Sequence, residues 1–144
     1  MNLDSALQTF FVESRELLTD MEAALLRLEH EPADNDTVNA IFRAAHTIKG
    51  SAGLFGLDLV VSFTHVVESV LDKVRSNQLE LDEDMTSLML QCKDYMGKMI
   101  DSIVDGSVVL EPADKQKENQ LVVDLSKYLK GNTAEKPATA SVNS

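Results

Sequence analysis

The chain has 144 residues, 44% of them hydrophobic, and a formal net charge of −11. That length suffices for one domain with its own core, and the acidic balance excludes general nucleic-acid binding, since phosphate backbones are met by lysine and arginine. A single cysteine, Cys92, excludes an intramolecular disulfide and a CxxC metal site; no apolar run approaches the ~20 residues of a membrane span, and the acidic, polar start does not read as a signal peptide, so a soluble cytoplasmic protein with no membrane partner is expected.

With no Trp, five Phe and two Tyr, the core is expected to be aliphatic and rich in methionine. The first helix is predicted over 3–28. Leu3, Leu7, Phe10, Leu17, Met21, Ala24 and Leu28 recur at steps of three and four, with an interruption at Ser14. A seam that narrow suits antiparallel bundle packing. Glu13, Glu16, Asp20 and Glu22 fall largely off it and form a solvated face. His30 reads as a surface residue near the negative end of the helix dipole, and Glu31-Pro32 ends the element.

The second helix is predicted to begin near Asp36, capped by Asn35 or Asp36, and to end between Gly53 and Gly56, where glycine suits a left-handed cap. Val38, Ile41, Ala45, Ile48 and Ala52 make its buried stripe, with Phe42 at the edge. At ~100° per residue, His46 falls about 110° from the middle of that stripe and should reach water. Gly50 and Gly53 follow it at i+4 and i+7 on the same face. Each glycine in a helix interior costs ~1 kcal/mol relative to alanine, and here the pair leaves the surface beside the imidazole bare, open to another molecule. Arg43 and Lys49 flank His46 at i−3 and i+3, and from Thr37 to Leu57 there is no Asp or Glu. The result is a locally basic, sterically open histidine in an acidic chain.

The third helix is predicted over 57–76, with Val60, Phe63, Val67, Val70, Leu71 and Val74 buried. Its β-branched residues favour strand, but the three- and four-residue spacing runs too long for one. His65 and Glu68 share a face. Glu68 sits about 100° from the stripe centre, so on spacing alone it is a boundary carboxylate. Ser76-Asn77-Gln78 is a turn. The fourth helix is predicted from Asp82 to about Asp105, with acidic residues at its positive end and Met85, Leu88, Met89, Cys92, Met96, Met99, Ile100 and Ile103 inward. Gly106 is its stop and Ser107 to Ala113, with Pro112, a connector. A fifth helix is predicted over 114–130, docking through Leu121, Val122, Leu125, Tyr128 and Leu129, and closed by Gly131. The pattern is all-α: an antiparallel four-helix up-and-down bundle with an additional C-terminal fifth helix. Residues 132–144 have no periodicity and read as a disordered linker or tail, of the kind expected where a chain is cut from a longer protein.

The run Ala45-His46-Thr47-Ile48-Lys49-Gly50-Ser51-Ala52-Gly53, with Phe55-Gly56, resembles the phosphoacceptor motif of histidine phosphotransfer domains, above all the N-terminal domain of CheA-type chemotaxis kinases. The resemblance covers about residues 1–130. It implies that residues 1–131 form a phosphotransfer domain in which His46 takes a phosphoryl group from ATP held by a separate kinase domain and passes it to an aspartate of a response-regulator receiver domain. It implies that Glu68 accepts a hydrogen bond from the imidazole and orients it, and it matches His65 to a position near the site with a possible supporting role. Lys49 is placed to stabilise charge on the phosphoryl oxygens. The domain is then a substrate and not an enzyme. The full-length protein is expected to be a histidine protein kinase, with ATP and magnesium in its kinase domain and neither cofactor nor metal bound here.

Other readings fit the residues less well. A dinuclear metal bundle needs Glu-x-x-His on two helices and two further glutamates, whereas this chain has one reversed pair, His65-x-x-Glu68. No Gly-rich phosphate loop or kinase signature is present, and Ser51 has no base at usable spacing. A stand-alone phosphorelay protein is an alternative context. A purely structural helical adaptor would account for the bundle and its acidic surface, but not for two glycines and two cations around one exposed histidine.

Overall fold

The computed structural model describes residues 3–104 and 112–130. These form five helices: α1 (Leu3–Arg27), α2 (Asn35–Leu54), α3 (Asp58–Arg75), α4 (Glu83–Val104) and α5 (Pro112–Leu129). The described residues contain no strand. Among the first four, each helix packs against two of the others, α1 on α2 and α4, α3 on α2 and α4, so they close into an up-and-down bundle. The fifth lies outside, against α3 and α4.

Local chemistry sets the helix ends. The cap of α2 is Asp34, one residue before the expected pair, because its carboxylate is the one that accepts the Thr37 N–H at 2.7 Å. That bond holds the Asp34 carboxyl below its ordinary value. Asp82 caps α4 in the same way, accepting from the Met85 N–H at 2.9 Å. The helix α5 starts at Pro112, inside what the sequence suggested was a connector. Proline fits there because the first turn leaves its N–H unused and its φ is already helical. Gly106, Gly131 and the expected tail at 132–144 lie outside the described residues.

The turn from α2 into α3 decides where the histidine helix lies against its partner. Gly56 has φ +67°, its N–H reaches the carbonyl of Gly53 at 3.2 Å, and the Leu57 N–H reaches that of Ala52 at 3.1 Å. Two carbonyls left over at the helix end are thereby satisfied, and the chain reverses in three residues.

In α2 and α3 the expected stripes are buried throughout. In α1 the buried surface is wider than the predicted seam. Phe11, Ser14, Leu18 and Leu25 are inside as well, whereas Leu7, Leu17 and Leu28 are only partly covered. A helix wedged between α2 and α4 needs a broad apolar stripe rather than a coiled-coil seam. Met21, Met85, Met89, Met96 and Met99 fill the interior, and burial pushes the Cys92 thiol up to about 12, which makes it an inert core residue. Tyr95 is also buried. Its ring meets Phe63 edge-on at 5.0 Å, and its hydroxyl donates to Glu118 of α5 at 2.7 Å. Burial, and then the Glu118 bond, raise its ionisation well above the ordinary phenol range.

Gly56→Ala meets no neighbouring atom but would have to hold a left-handed backbone. We expect a loss of about 1 kcal/mol in urea unfolding. An unchanged midpoint would mean that the turn relaxes to another geometry.

Candidate functional site

The site lies where α2 and α3 run side by side. His46 is on the solvent side of α2, its side chain 61% exposed, with the stripe of Ala45 and Ile48 directly beneath. Facing it, Glu68 of α3 is 7% exposed. The carboxylate expected at the boundary is therefore inside, and it stays there because it has two donors. His46 Nδ1 contacts Oε2, and Lys49 Nζ donates to Oε1 at 2.5 Å. Burial alone pushes the Glu68 carboxyl up. The hydrogen bonds from Lys49 and His46, with the charges behind them, outweigh burial and leave it below its ordinary value. Glu68 is thus ionised at neutral pH. An ionised carboxylate can only accept, so the hydrogen between it and the imidazole sits on Nδ1. In the neutral ring that leaves Nε2 unprotonated, on the solvent side of the imidazole.

Three of the residues singled out in the sequence are therefore in direct contact: His46, Lys49 and Glu68. Lys49, 23% exposed, is engaged by Glu68, but an ammonium has three hydrogens, and the Glu68 bond uses one. Gly50 and Gly53 border the imidazole on the same helix, and a Cβ built at either would meet nothing within 4 Å. Neither glycine is needed for helix packing, and the surface is bare as expected. His65 is exposed on α3 and takes no part in the hydrogen-bonded set; the bond recorded there is from the Ser69 hydroxyl to its backbone carbonyl. Arg43 is exposed too. No cluster of potential metal ligands occurs among the described residues.

Two further side chains belong to the site. Phe42 lies parallel to the imidazole, the planes 8° apart and the centroids 5.9 Å apart. The guanidinium of Arg75 sits over the Phe42 ring, 3.9 Å from its centroid. Phe42 stands one turn before His46, so helical spacing could have paired them. Nothing in the sequence pointed to Arg75, which comes from the far end of the next helix.

The family model of the Hpt domain matches residues 5–105. The chain belongs to that family. As a histidine phosphotransfer domain it has well-matched relatives. It is 39% identical over 141 residues to the chemotaxis protein CheA of Rhizobium meliloti, covering 98% of this chain and 18% of that one. Its fold is similar to that of the phosphorylated P1 domain of CheA3 in complex with CheY6 from R. sphaeroides, with TM-score 0.76 and 25% identity over 86% of this chain and 98% of that one. It also resembles the CheA phosphotransferase domain from Thermotoga maritima, with TM-score 0.67 and 33% identity over 72% and 99% of the two chains. The chain spans less than a fifth of the length of the curated relatives it matches. The matched segment closes at the end of α4, so α5 is additional to the family's common core.

The depressed Glu68 carboxyl makes a prediction about acid stability. Unfolded, it takes up a proton near its ordinary 4.5; folded, it does so only at lower pH. Between those values the unfolded chain binds more protons, so the stabilisation is complete above the unfolded value and is lost as pH falls through the folded one. Tm of the wild type should accordingly rise more steeply between about pH 3 and 5 than that of Glu68→Gln. Parallel curves would show that the carboxylate is not held by its two donors in solution.

Proposed function

We propose that this domain carries a phosphoryl group on His46 Nε2, between a kinase domain and a response-regulator receiver domain. The observation that carries the proposal is the Nδ1 contact with an ionised, buried Glu68. It fixes the tautomer, leaves the lone pair of Nε2 free, and places a negative charge behind the ring.

In this reading His46 Nε2 attacks the γ-phosphorus of ATP held elsewhere. An N–P bond forms, the bond to the bridging oxygen breaks, and ADP leaves with that electron pair. As the bond forms, the imidazole gains positive charge, which Glu68 stabilises through Nδ1–H. The Nδ1 proton stays on the ring, so no separate base is needed. Lys49, already anchored at Glu68, has hydrogens left to offer the phosphoryl oxygens. Return of the phosphoryl to a carboxylate breaks the same N–P bond and restores neutral imidazole. ATP and magnesium belong to the kinase domain in this scheme, and the domain itself is a substrate rather than an enzyme. His65 would act at most from the periphery.

The resemblance to CheA supports a kinase domain in the same full-length protein and a chemotaxis signalling role. The relative in complex with CheY6 supports a receiver domain as acceptor. No described helix is long and apolar enough to cross a membrane, and a cytoplasmic setting fits both partners.

His46→Gln should abolish acid-labile phosphate incorporation from a CheA-type kinase domain with ATP, while circular dichroism and Tm stay nearly unchanged, because the side chain is mostly outside the core and the glutamine amide can take over the donation to Glu68. Incorporation that persists and maps to His65 or His30 would refute the assignment.

The open glycine face gives a second test. Gly53→Ala should stabilise by up to ~1 kcal/mol through helix propensity, since its Cβ meets nothing. Gly53→Leu should fold yet transfer slowly, by at least about tenfold, because a docking partner must come within reach of Nε2. Full transfer rates in a folded Gly53→Leu would show that partners approach from elsewhere.

A further inference from the structure

One hydrogen bond fixes the position of one ring atom. It does not fix the plane of the ring, which can swing about that contact. His46 is 61% exposed at its side chain, and Nδ1 makes the polar contact with Glu68. What holds the plane must be a surface rather than a point, and Phe42 supplies one. Its ring is half-buried at the edge of the core, one turn before His46, and lies within 8° of parallel to the imidazole. At 5.9 Å between centroids the rings are offset, the arrangement aromatic pairs prefer.

Phe42 is held in turn. The Arg75 guanidinium lies 3.9 Å from its centroid, a cation–π contact, and Arg75 Nη2 donates to Asp72 Oδ1 at 2.8 Å. A line of contacts thus runs from α3 to α2 and ends on the imidazole, on a route separate from Glu68 and Lys49. We propose that Phe42 is a positioning residue that sets the plane of the His46 ring, and that Arg75, anchored by Asp72, acts through Phe42 to keep that plane fixed. The direction of the Nε2 lone pair then depends on two supports, the carboxylate at one ring atom and the stacked face. The proposal rests on His46 being the phosphoacceptor.

The charge of Arg75 acts on the Phe42 ring and not directly on the imidazole. Its side chain is 45% exposed and its anion partner is 58% exposed, so water and salt screen what Asp72 does not neutralise. The bland alternative is that Phe42 merely caps the core edge and Arg75 shields it from water. A structural cap of that kind would affect stability and remove a ring current from the imidazole signals, but it would leave the phosphorylation rate unchanged.

The test uses the 144-residue chain and phosphoramidate, a small phosphodonor that needs no docking surface. In its reaction an N–P bond to His46 forms and ammonia leaves. Phe42→Leu keeps apolar cover and removes the ring. It should lower the phosphorylation rate constant roughly three- to tenfold and shift the His46 Hδ2 and Hε1 NMR signals, which lose the neighbouring ring current. Phe42→Tyr should restore both. Arg75→Gln, at an exposed position that leaves folding intact, should move both readouts in the same direction by less, and should add nothing in the Phe42→Leu background. Unmoved His46 signals, or an unchanged rate in folded Phe42→Leu, would overturn the proposal. So would a full Arg75→Gln effect in the Phe42→Leu background, which would mean that arginine acts by its own charge. The NMR readout needs no phosphorylation, so failure here is distinguishable from failure of the phosphoacceptor assignment, which the His46→Gln variant tests separately.

Discussion

A carboxylate buried between two helices organises this domain. An isolated charge taken out of water costs several kcal/mol, and the cost is offset only when its oxygens find good donors. Glu68 has a donor at each oxygen, a lysine ammonium at one and an imidazole N–H at the other. Both donors sit on α2, three residues apart, and Glu68 sits on α3. The charge therefore ties the two helices at one register. It also determines which nitrogen of His46 carries hydrogen, and so where its lone pair is.

The surroundings divide the work between support and access. Below the site, α2 presents alanines and isoleucines that let α3 come close. Above it, two glycines leave the helix surface without side chains and without compensating contacts. By helix propensity each is a small loss of stability. A protein selected for stability alone would carry alanine there. Small residues that serve no packing purpose, beside an exposed ring with a fixed tautomer, are the kind of local inconsistency that marks a functional surface.

Much of this was legible from spacing. Every residue that periodicity placed in the stripes of α2 and α3 is buried, although Thr37, Ala44 and Thr64 are buried as well and were not named, and the offset of His46 from the stripe placed it in solvent. Glu68 was misread by periodicity alone, because its angular position is that of a boundary residue and its burial depends on donors from another helix. The resemblance to phosphotransfer domains supplied that pairing, and the geometry brings the two residues into contact. Phe11, Leu18 and Leu25 were missed because a three-four seam was assumed for a helix that packs on two neighbours. Asp34, Asn35 and Asp36 are all good capping residues, and only the path of the chain selects among them. Pro112 was taken as a break when it serves as a first helical residue. The stack of Arg75 on Phe42 was out of reach, since it depends on how far along α3 lies opposite the start of α2.

Every side chain with a proposed role, from Phe42 through His46, Lys49 and Glu68 to Arg75, belongs to the single hairpin formed by α2 and α3. That set is thus confined to one stretch of sequence. Its parts meet through one short reversal at Gly56 rather than by recruitment from distant segments, so assembling it requires little loop-closure entropy. The other helices touch the hairpin from behind. None of the side chains with a proposed role comes from α1, α4 or α5. An accessory such as α5 can be added to the common core because it docks through Leu121, Leu125 and the Tyr95–Glu118 bond, on the flank formed by α3 and α4, without displacing any residue of the hairpin.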